Sequence, residues 1–160
     1  MTIKIGDKIP AATFKVMTAD GKGEMTSDGI FNGRKVVLFA VPGAFTGTCT
    51  SAHMPSFLAN YDAIKAKGVD MIACTSVNDV DVMTAWAKST GAEGKIVMLA
   101  DGNATFAKAV GLEKDLTVAD MGLRSSRYSM IVENGLVRHL NVESKSGVNV
   151  SGGETILAQL

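Results

Sequence analysis

Short apolar runs alternate along the chain with segments in which apolar residues recur at intervals of three and four. The apolar runs cover residues 34–41, 69–77 and 95–100, and their composition predicts buried strands. Residues 48–67 and 79–89 have the helical period and predict helices between these strands. The alternation predicts an α/β fold, with a central sheet that carries helices on its faces.

The two ends of the chain add further elements. Residues 128–133 and 136–142 flank Asn134-Gly135, a strong hairpin signal, so this pair is predicted to be antiparallel and the sheet to be mixed. A last helix is predicted from Gly153 or Glu154 to Leu160, and the first thirty residues predict an extra strand or hairpin before the core. A chain of 160 residues with 46% apolar content is large enough for one well-buried core, so we expect a single domain over 1–160.

Charge and composition exclude several classes of function for this chain. Sixteen basic and sixteen acidic residues cancel, and no basic stripe with interleaved aromatics is present, so nucleic-acid binding is not supported. No apolar run reaches the ~18 residues of a membrane-spanning helix, and we expect a soluble, unexported, cytoplasmic protein. Two cysteines and two histidines form neither a disulfide scaffold nor a set of metal ligands, which fits a reducing compartment and a protein without metal or cofactor.

Cys49 is the strongest candidate for chemistry. Residues 41–50 follow a predicted strand and lead into a predicted helix, so Cys49 is expected at the C-terminal edge of the sheet, in or next to the first helical turn. Thr46 or Thr48 can cap that helix, and free N–H groups at a helix start favour a thiolate. Ionising a thiol fully at neutral pH gains only ~30-fold in reactivity, so attack on a peroxide also needs donors around the sulfur. The candidates are the Thr46 hydroxyl, the N–H groups of the 43–49 loop from Gly43 onward, and a fixed cation.

These residues carry a family resemblance. The run PGAFTGTCT at 42–50 resembles the active-site loop of the peroxiredoxins of the type II, or five-like, subfamily, with its pattern Pro-Gly-Ala-Phe-Thr-x-x-Cys. Further similar motifs cover nearly the whole chain: GDKIP at 6–10, SVND at 76–79, RYSM at 127–130, LNVE at 140–143 and ETILAQL at 154–160. Family members commonly carry proline where this chain has Gly47. The resemblance implies a thioredoxin-like fold with an N-terminal β extension.

The resemblance also implies an activity and a site. It makes the chain a thiol-dependent peroxidase that reduces hydrogen peroxide and alkyl hydroperoxides and leaves Cys49 as a sulfenic acid. By the same resemblance Thr46 bonds peroxide and sulfur, Pro42 shields the pocket and Arg127 is the cation that activates the thiolate. The implied reductant is thioredoxin, or glutaredoxin with glutathione, and the implied assembly is a homodimer.

Other residues have plainer interpretations. Cys74 lies within an apolar strand run and is interpreted as core, with a role in resolving the sulfenic acid as the alternative. His53 follows Cys49 by four residues and so shares its helix face, where it could position Arg127 or a loop carbonyl, or be structural. Arg124 is interpreted as a surface residue, Trp86 as core or interface packing, and Pro55 is expected to kink its helix.

Two other functions remain open at this point. A cysteine-nucleophile hydrolase would turn over esters without peroxide. A redox sensor or holdase would record peroxide as oxidised Cys49, and steady turnover with a thiol donor would exclude it.

Overall fold

The computed structural model describes residues 1–160, with nine strands and six α-helices. The elements are β1 Thr13–Thr18, β2 Gly21–Thr26, α1 Ser27–Phe31, β3 Lys35–Ala40, a π-helical turn Cys49–His53 (the π turn), α2 Met54–Ala59, α3 Tyr61–Ala66, β4 Met71–Ser76, α4 Val80–Thr90, β5 Val97–Ala100, α5 Thr105–Ala109, β6 Glu113–Asp115, a 3₁₀ turn Thr117–Ala119, β7 Leu123–Ser125, β8 Tyr128–Glu133, β9 Leu136–Val142 and α6 Gly153–Gln159.

Seven strands form one mixed sheet in the order β2-β1-β5-β4-β3-β8-β9. Strands β3, β4 and β5 are parallel, whereas β8 is antiparallel to β3 and β9 is antiparallel to β8. Asn134 and Gly135 join β8 to β9 with positive φ angles of 50° and 80°, which is the backbone that a tight hairpin requires. The mixed sheet of the sequence analysis is confirmed, and its strands end within two residues of the predicted bounds.

The N-terminal segment forms a hairpin that extends the sheet. Strands β1 and β2 pair along their full length. Strand β1 also pairs antiparallel with β5, where Lys15 lies opposite Ala100. A separate two-stranded ribbon of β6 and β7, which the sequence patterns do not predict, follows α5.

The sheet separates two apolar clusters. Alternate residues of β3 point to opposite faces, so Val37 and Phe39 lie in one cluster and Val36 and Leu38 in the other. The first cluster also contains Cys49 and Cys74, together with buried residues of the π turn, α2, α4 and α6. The two cysteines therefore lie on the same side of the sheet.

The single helix predicted over residues 48–67 is wrong, because the segment consists of the π turn, α2 and α3. Pro55 has no N–H to continue an α-helical ladder, and just before it the Met54 N–H bonds the Cys49 carbonyl five residues back. The helix was expected to kink at Pro55, and the structure instead has a widened, π-helical turn that begins at Cys49. Asn60, with φ of −102° and ψ of 7°, separates α2 from α3.

The other predicted helices are present. Helix α4 is shifted by one residue from its prediction, because Asp79 stays outside it and its side chain accepts the Val82 N–H as an N-cap. Helix α6 begins at Gly153, as predicted. None of the helices has the length and apolar character needed to span a bilayer.

Candidate active site

Cys49 is the first residue of the π turn, and its side chain is only 1% exposed. The loop that leads to Cys49 is hydrogen-bonded to β4 and to the residues just after it. The Val41 N–H donates to the Thr75 carbonyl, and the Ala44 N–H donates to the Asn78 side-chain oxygen at 2.9 Å. The sulfur is therefore presented by a loop that is hydrogen-bonded to the end of β4.

The predicted side-chain cap of this helix is wrong. Thr48 makes no capping hydrogen bond, and the Thr46 hydroxyl donates to the Gly43 carbonyl at 2.6 Å. That bond closes the loop on itself, and it occupies the only proton of the Thr46 hydroxyl. The lone pairs of its oxygen remain able to accept a hydrogen bond.

Arg127 contacts the sulfur. Its Nη2 atom lies 3.0 Å from Cys49 Sγ, and its Nη1 atom lies 2.9 Å from His53 Nδ1. The sheet register explains this approach, because Ala40 pairs with Tyr128 and so Arg127 stands just beyond the end of β3. The guanidinium therefore places a positive charge and an N–H donor directly beside the sulfur.

His53 is fully buried between two partners. Its Nδ1 must accept from the Arg127 guanidinium, which can only donate, and so its Nε2 carries the proton and donates to the Ser151 carbonyl at 2.9 Å. Burial lowers the pKa of His53 to about 4; the bond to Ser151 opposes this shift and the charge of Arg127 adds to it. At neutral pH the imidazole is uncharged, and Arg127 remains the cation beside the sulfur.

The rest of the predicted pocket lies in the same loop. Pro42 is half-buried, and Gly43 is tightly packed, since a Cβ there would lie about 3 Å from the Thr46 methyl group and the Met121 side chain. Phe45 has a φ of 64° and a 52% exposed side chain. A bulky residue in the left-handed region is strained, and no sequence pattern indicated this one.

Arg124 is not a free surface residue, which corrects the sequence interpretation. It is half-buried, its Nε donates to the Met121 carbonyl at 2.9 Å and its Nη1 to the Val77 carbonyl at 3.3 Å. These bonds fasten β7 to the segment just before it and to the chain that follows β4. Arg124 therefore lies beside the active-site loop, where Arg127 alone reaches the sulfur.

Cys74 and Trp86 belong to the interior. Cys74 lies in the middle of β4 opposite Phe39, has no exposed surface, and burial raises the pKa of its thiol well above the usual value. Trp86 is also fully buried, and its indole N–H donates to the Thr50 hydroxyl at 3.0 Å. This bond ties α4 to the residue that follows Cys49.

Glu143 and Ser151 were missed as individual site residues. Burial of Glu143 raises the pKa of its carboxyl, but the Ser151 hydroxyl and the N–H groups of residues 149–151 outweigh that effect, so the pKa lies below its ordinary value. The sequence signal was a lone acidic residue before a loop rich in Ser, Gly and Asn. No three His, Cys, Asp or Glu side chains group as ligands for a metal ion.

The site thus combines a buried thiol, a guanidinium against its sulfur and a hydroxyl with free lone pairs, at the C-terminal edge of a mixed sheet. Comparison with known proteins places the chain in a family. The Redoxin family matches residues 4–157. Peroxiredoxin-2E-2, chloroplastic, of Oryza sativa subsp. japonica is 44% identical, over 99% of this chain and 73% of its own length. Peroxiredoxin-2C of the same organism is 42% identical, over 99% of this chain and 98% of its own.

A solved structure agrees with these relatives. Reduced Prx3 of Vibrio vulnificus in complex with hydrogen peroxide is 51% identical to this chain, superposes with a TM-score of 0.95, and the alignment covers 99% of both chains. The thioredoxin-like fold of the sequence analysis is confirmed. This chain belongs to the Redoxin family and is a type II peroxiredoxin, a thiol-dependent peroxidase.

Proposed function

We propose that Cys49 is the residue that attacks the hydroperoxide, with hydrogen peroxide and small alkyl hydroperoxides as substrates. The observation that carries this proposal is the 3.0 Å approach of Arg127 Nη2 to Cys49 Sγ. The thiolate forms a bond to the terminal peroxide oxygen, the O–O bond breaks, and the leaving oxygen takes a proton to become water or an alcohol. Sulfur is oxidised to the sulfenic acid because it supplies the two electrons that reduce the peroxide.

Thr46 and Arg127 share the stabilisation of this step. The Thr46 hydroxyl donates to Gly43, so its oxygen is directed to accept the O–H of the incoming peroxide. Arg127 faces the sulfur, and its positive charge stabilises the negative charge that passes to the leaving oxygen. Pro42 shields the pocket and the Gly43 carbonyl orients Thr46. The nearly complete burial of Cys49 favours small peroxides.

External thiols complete the cycle in this proposal. A first thiol condenses with the sulfenic acid, releasing water and forming a mixed disulfide, and a second thiol releases Cys49 as thiol. We propose thioredoxin, or glutaredoxin with glutathione, as donors, and a one-cysteine cycle in which Cys74 stays reduced. The burial of Cys74 in β4 supports this cycle.

The experiment is peroxide consumption by the reduced protein, with thioredoxin and with glutaredoxin plus glutathione measured side by side. The wild type should turn over many times, and Cys49→Ser should be inactive yet folded, because a serine hydroxyl is far too weak an acid to supply the anion. A Cys49→Ser protein that keeps more than a few per cent of the wild-type rate would refute the proposal. A wild type that consumes only one equivalent would support the sensor or holdase alternative.

We further propose a homodimer, with the loops around the active site and helix α4 as contacts. The exposed aromatic ring of Phe45, on the loop that holds Cys49, supports an interface there. Light scattering of the reduced protein should give about twice the 16.7 kDa mass of one chain. A monomeric mass would contradict the proposal.

A single domain over residues 1–160 and a cytoplasmic location also remain proposals. One cooperative thermal transition by circular dichroism would support the single domain, and two separate transitions would contradict it. Two free cysteines are compatible with a reducing compartment. Fractionation of the source cells tests the location, and recovery of the protein outside the cytoplasmic fraction would refute it.

A further inference from the structure

One carboxylate oxygen outside the catalytic loop accepts four hydrogen bonds. Glu143 Oε2 receives the backbone N–H groups of Asn149, Val150 and Ser151, each at 2.8 Å, and the Ser151 hydroxyl at 2.6 Å. Its second oxygen, Oε1, is buried without a partner. A carboxylate that gathers successive backbone N–H groups in this way fixes the conformation of the segment that donates them.

The segment held by Glu143 is the one that bonds His53. Ser151 is fully buried, and its carbonyl accepts the His53 Nε2–H. The next residues pack directly on the helix that follows His53: the Gly153 N–H bonds the Ser56 hydroxyl at 3.0 Å, and a Cβ at Gly153 would overlap the Ser56 carbonyl. The Ser151 carbonyl is therefore held in place on one side by Glu143 and on the other by the contact with Ser56.

Glu143 also holds Arg127 itself. The Glu143 N–H donates to the Arg127 carbonyl at 3.0 Å. One residue thus anchors the main chain of Arg127 and, through residue 151, the imidazole that receives the Arg127 side chain.

The anchoring by Glu143 affects the active site through the tautomer of His53. Nδ1 can accept from Arg127 only when the proton is on Nε2, and the Ser151 carbonyl is the acceptor that keeps it there. A displaced carbonyl would leave a buried Nε2–H unsatisfied, and the alternative tautomer would point an Nδ1–H at the guanidinium. The guanidinium would then lose the acceptor that aims its other nitrogen at Cys49.

We propose that Glu143 is a positioning residue of the peroxidase, which acts through Ser151 to hold His53 as the Nε2–H tautomer and thereby aims Arg127 at Cys49. This inference rests on the proposed roles of Cys49 and Arg127. It assigns to Glu143 a contribution to peroxide reactivity, although its side-chain partners all lie in residues 149–151.

The test compares wild type with Glu143→Gln and Glu143→Ala. The amide of Gln keeps an acceptor oxygen without the charge, so this variant should fold and be affected less than Ala. Nitrogen-15 NMR of the imidazole reports the His53 tautomer directly. Stopped-flow fluorescence of Trp86, the only tryptophan, reports the first reaction with hydrogen peroxide.

We expect a single Nε2–H tautomer in wild type and a mixture, or the Nδ1–H form, in the variants. The rate constant for the first reaction with peroxide should fall about tenfold to a hundredfold in Glu143→Ala, as expected for a misplaced catalytic group, and by less in Glu143→Gln. The rate of reduction of the sulfenic acid by a small thiol should change much less, because no peroxide oxygen leaves in that step and Arg127 has no such charge to stabilise.

The matched control is Asp101→Asn, which makes the same change from carboxylate to amide at a buried residue that accepts the N–H groups of Phe106 and Ala107. This control should lose stability but keep the tautomer of His53 and the peroxide rate. An unchanged His53 tautomer in folded Glu143→Gln and Glu143→Ala would overturn the proposal, even if the rate fell. The tautomer can also be measured in a Cys49→Ser background, so a failure of the proposed function is distinguishable from a failure of this inference.

Discussion

The guanidinium of Arg127 lies 3.0 Å from the sulfur of Cys49, although the two residues are 78 positions apart in the chain. Its other terminal nitrogen is engaged with His53 at 2.9 Å. The planar group is thus held at two points, with one terminal nitrogen at the sulfur and the other at a neutral imidazole. Charge alone would not reproduce this arrangement.

We predict that Arg127→Lys loses most of the peroxide reactivity. Lysine keeps the charge, but a single ammonium cannot bond His53 and face Cys49 with the same geometry. The second-order rate constant with hydrogen peroxide, measured by stopped flow, should fall about a hundredfold. Arg124→Lys is the matched control, because Arg124 bonds backbone carbonyls and not the sulfur. An equal loss in the control would contradict the assignment.

The Thr46 hydroxyl offers a second test. Thr46→Val keeps the shape but removes both the bond to the Gly43 carbonyl and the oxygen that would accept from the peroxide. The rate with peroxide should fall up to about tenfold, the size of one hydrogen bond between neutral groups. Thr46→Ser should recover most of this loss. If Val and Ser behave alike in stopped-flow measurements, the hydroxyl has no role.

His53 predicts an acid-sensitive fold. Its pKa is about 4 in the native protein and about 6.5 in an unfolded chain, so between these values the unfolded chain binds the proton first. The free energy of unfolding therefore falls as the pH is lowered through this window, by about 3 kcal/mol in total, and His53 adds no further loss below pH ~4. Urea unfolding at several pH values should show this loss in wild type relative to His53→Gln. Parallel pH dependences of the two proteins would refute it.

Cys74 should be dispensable for turnover with glutaredoxin or a small thiol. It is fully buried in β4, burial raises the pKa of its thiol, and a disulfide would need its Cα within about 7 Å of that of Cys49 with converging side chains. Cys74→Ser should keep most of the activity at a cost of roughly 1–3 kcal/mol for a buried hydroxyl without a partner, and Cys74→Ala should avoid that cost. A stoichiometric Cys49–Cys74 bond in oxidised wild type, found by peptide mass, together with loss of thioredoxin-linked turnover in Cys74→Ser, would establish the two-cysteine cycle instead.

The main elements of the sheet could be predicted because they are buried on both faces. Strands β3, β4 and β5 lie between the two apolar clusters and so are nearly continuous apolar runs, which local composition reveals. The short elements could not be predicted in this way. Helix α5 has five residues and depends on Asp101, four positions before it, whose carboxylate accepts the N–H groups of Phe106 and Ala107. A helix of this length has no stability of its own.

The division of residues 48–67 shows a second limit. The helical period runs through the whole segment, but the backbone departs from an α-helix in the π turn before Pro55 and again at Asn60. The sequence shows that Pro55 lacks a backbone N–H donor. Whether the helix then kinks or forms a widened turn depends on packing around Cys49. Trp86 contributes to this packing, because it donates to Thr50 from another helix.

The sequence by itself determined the candidate nucleophile Cys49, the loop that carries it and the alternation of strands and helices, because these depend on neighbouring residues and on a contiguous motif at 42–50. The family resemblance named Arg127 as the cation, but only the tertiary structure showed its contact with the sulfur and the residues that aim it. The pairing of Ala40 with Tyr128 brings Arg127 to Cys49 and leaves Arg124 with carbonyls. His53 meets the Ser151 carbonyl across 98 positions. Such contacts depend on strand register and loop packing, which no local pattern of residues encodes.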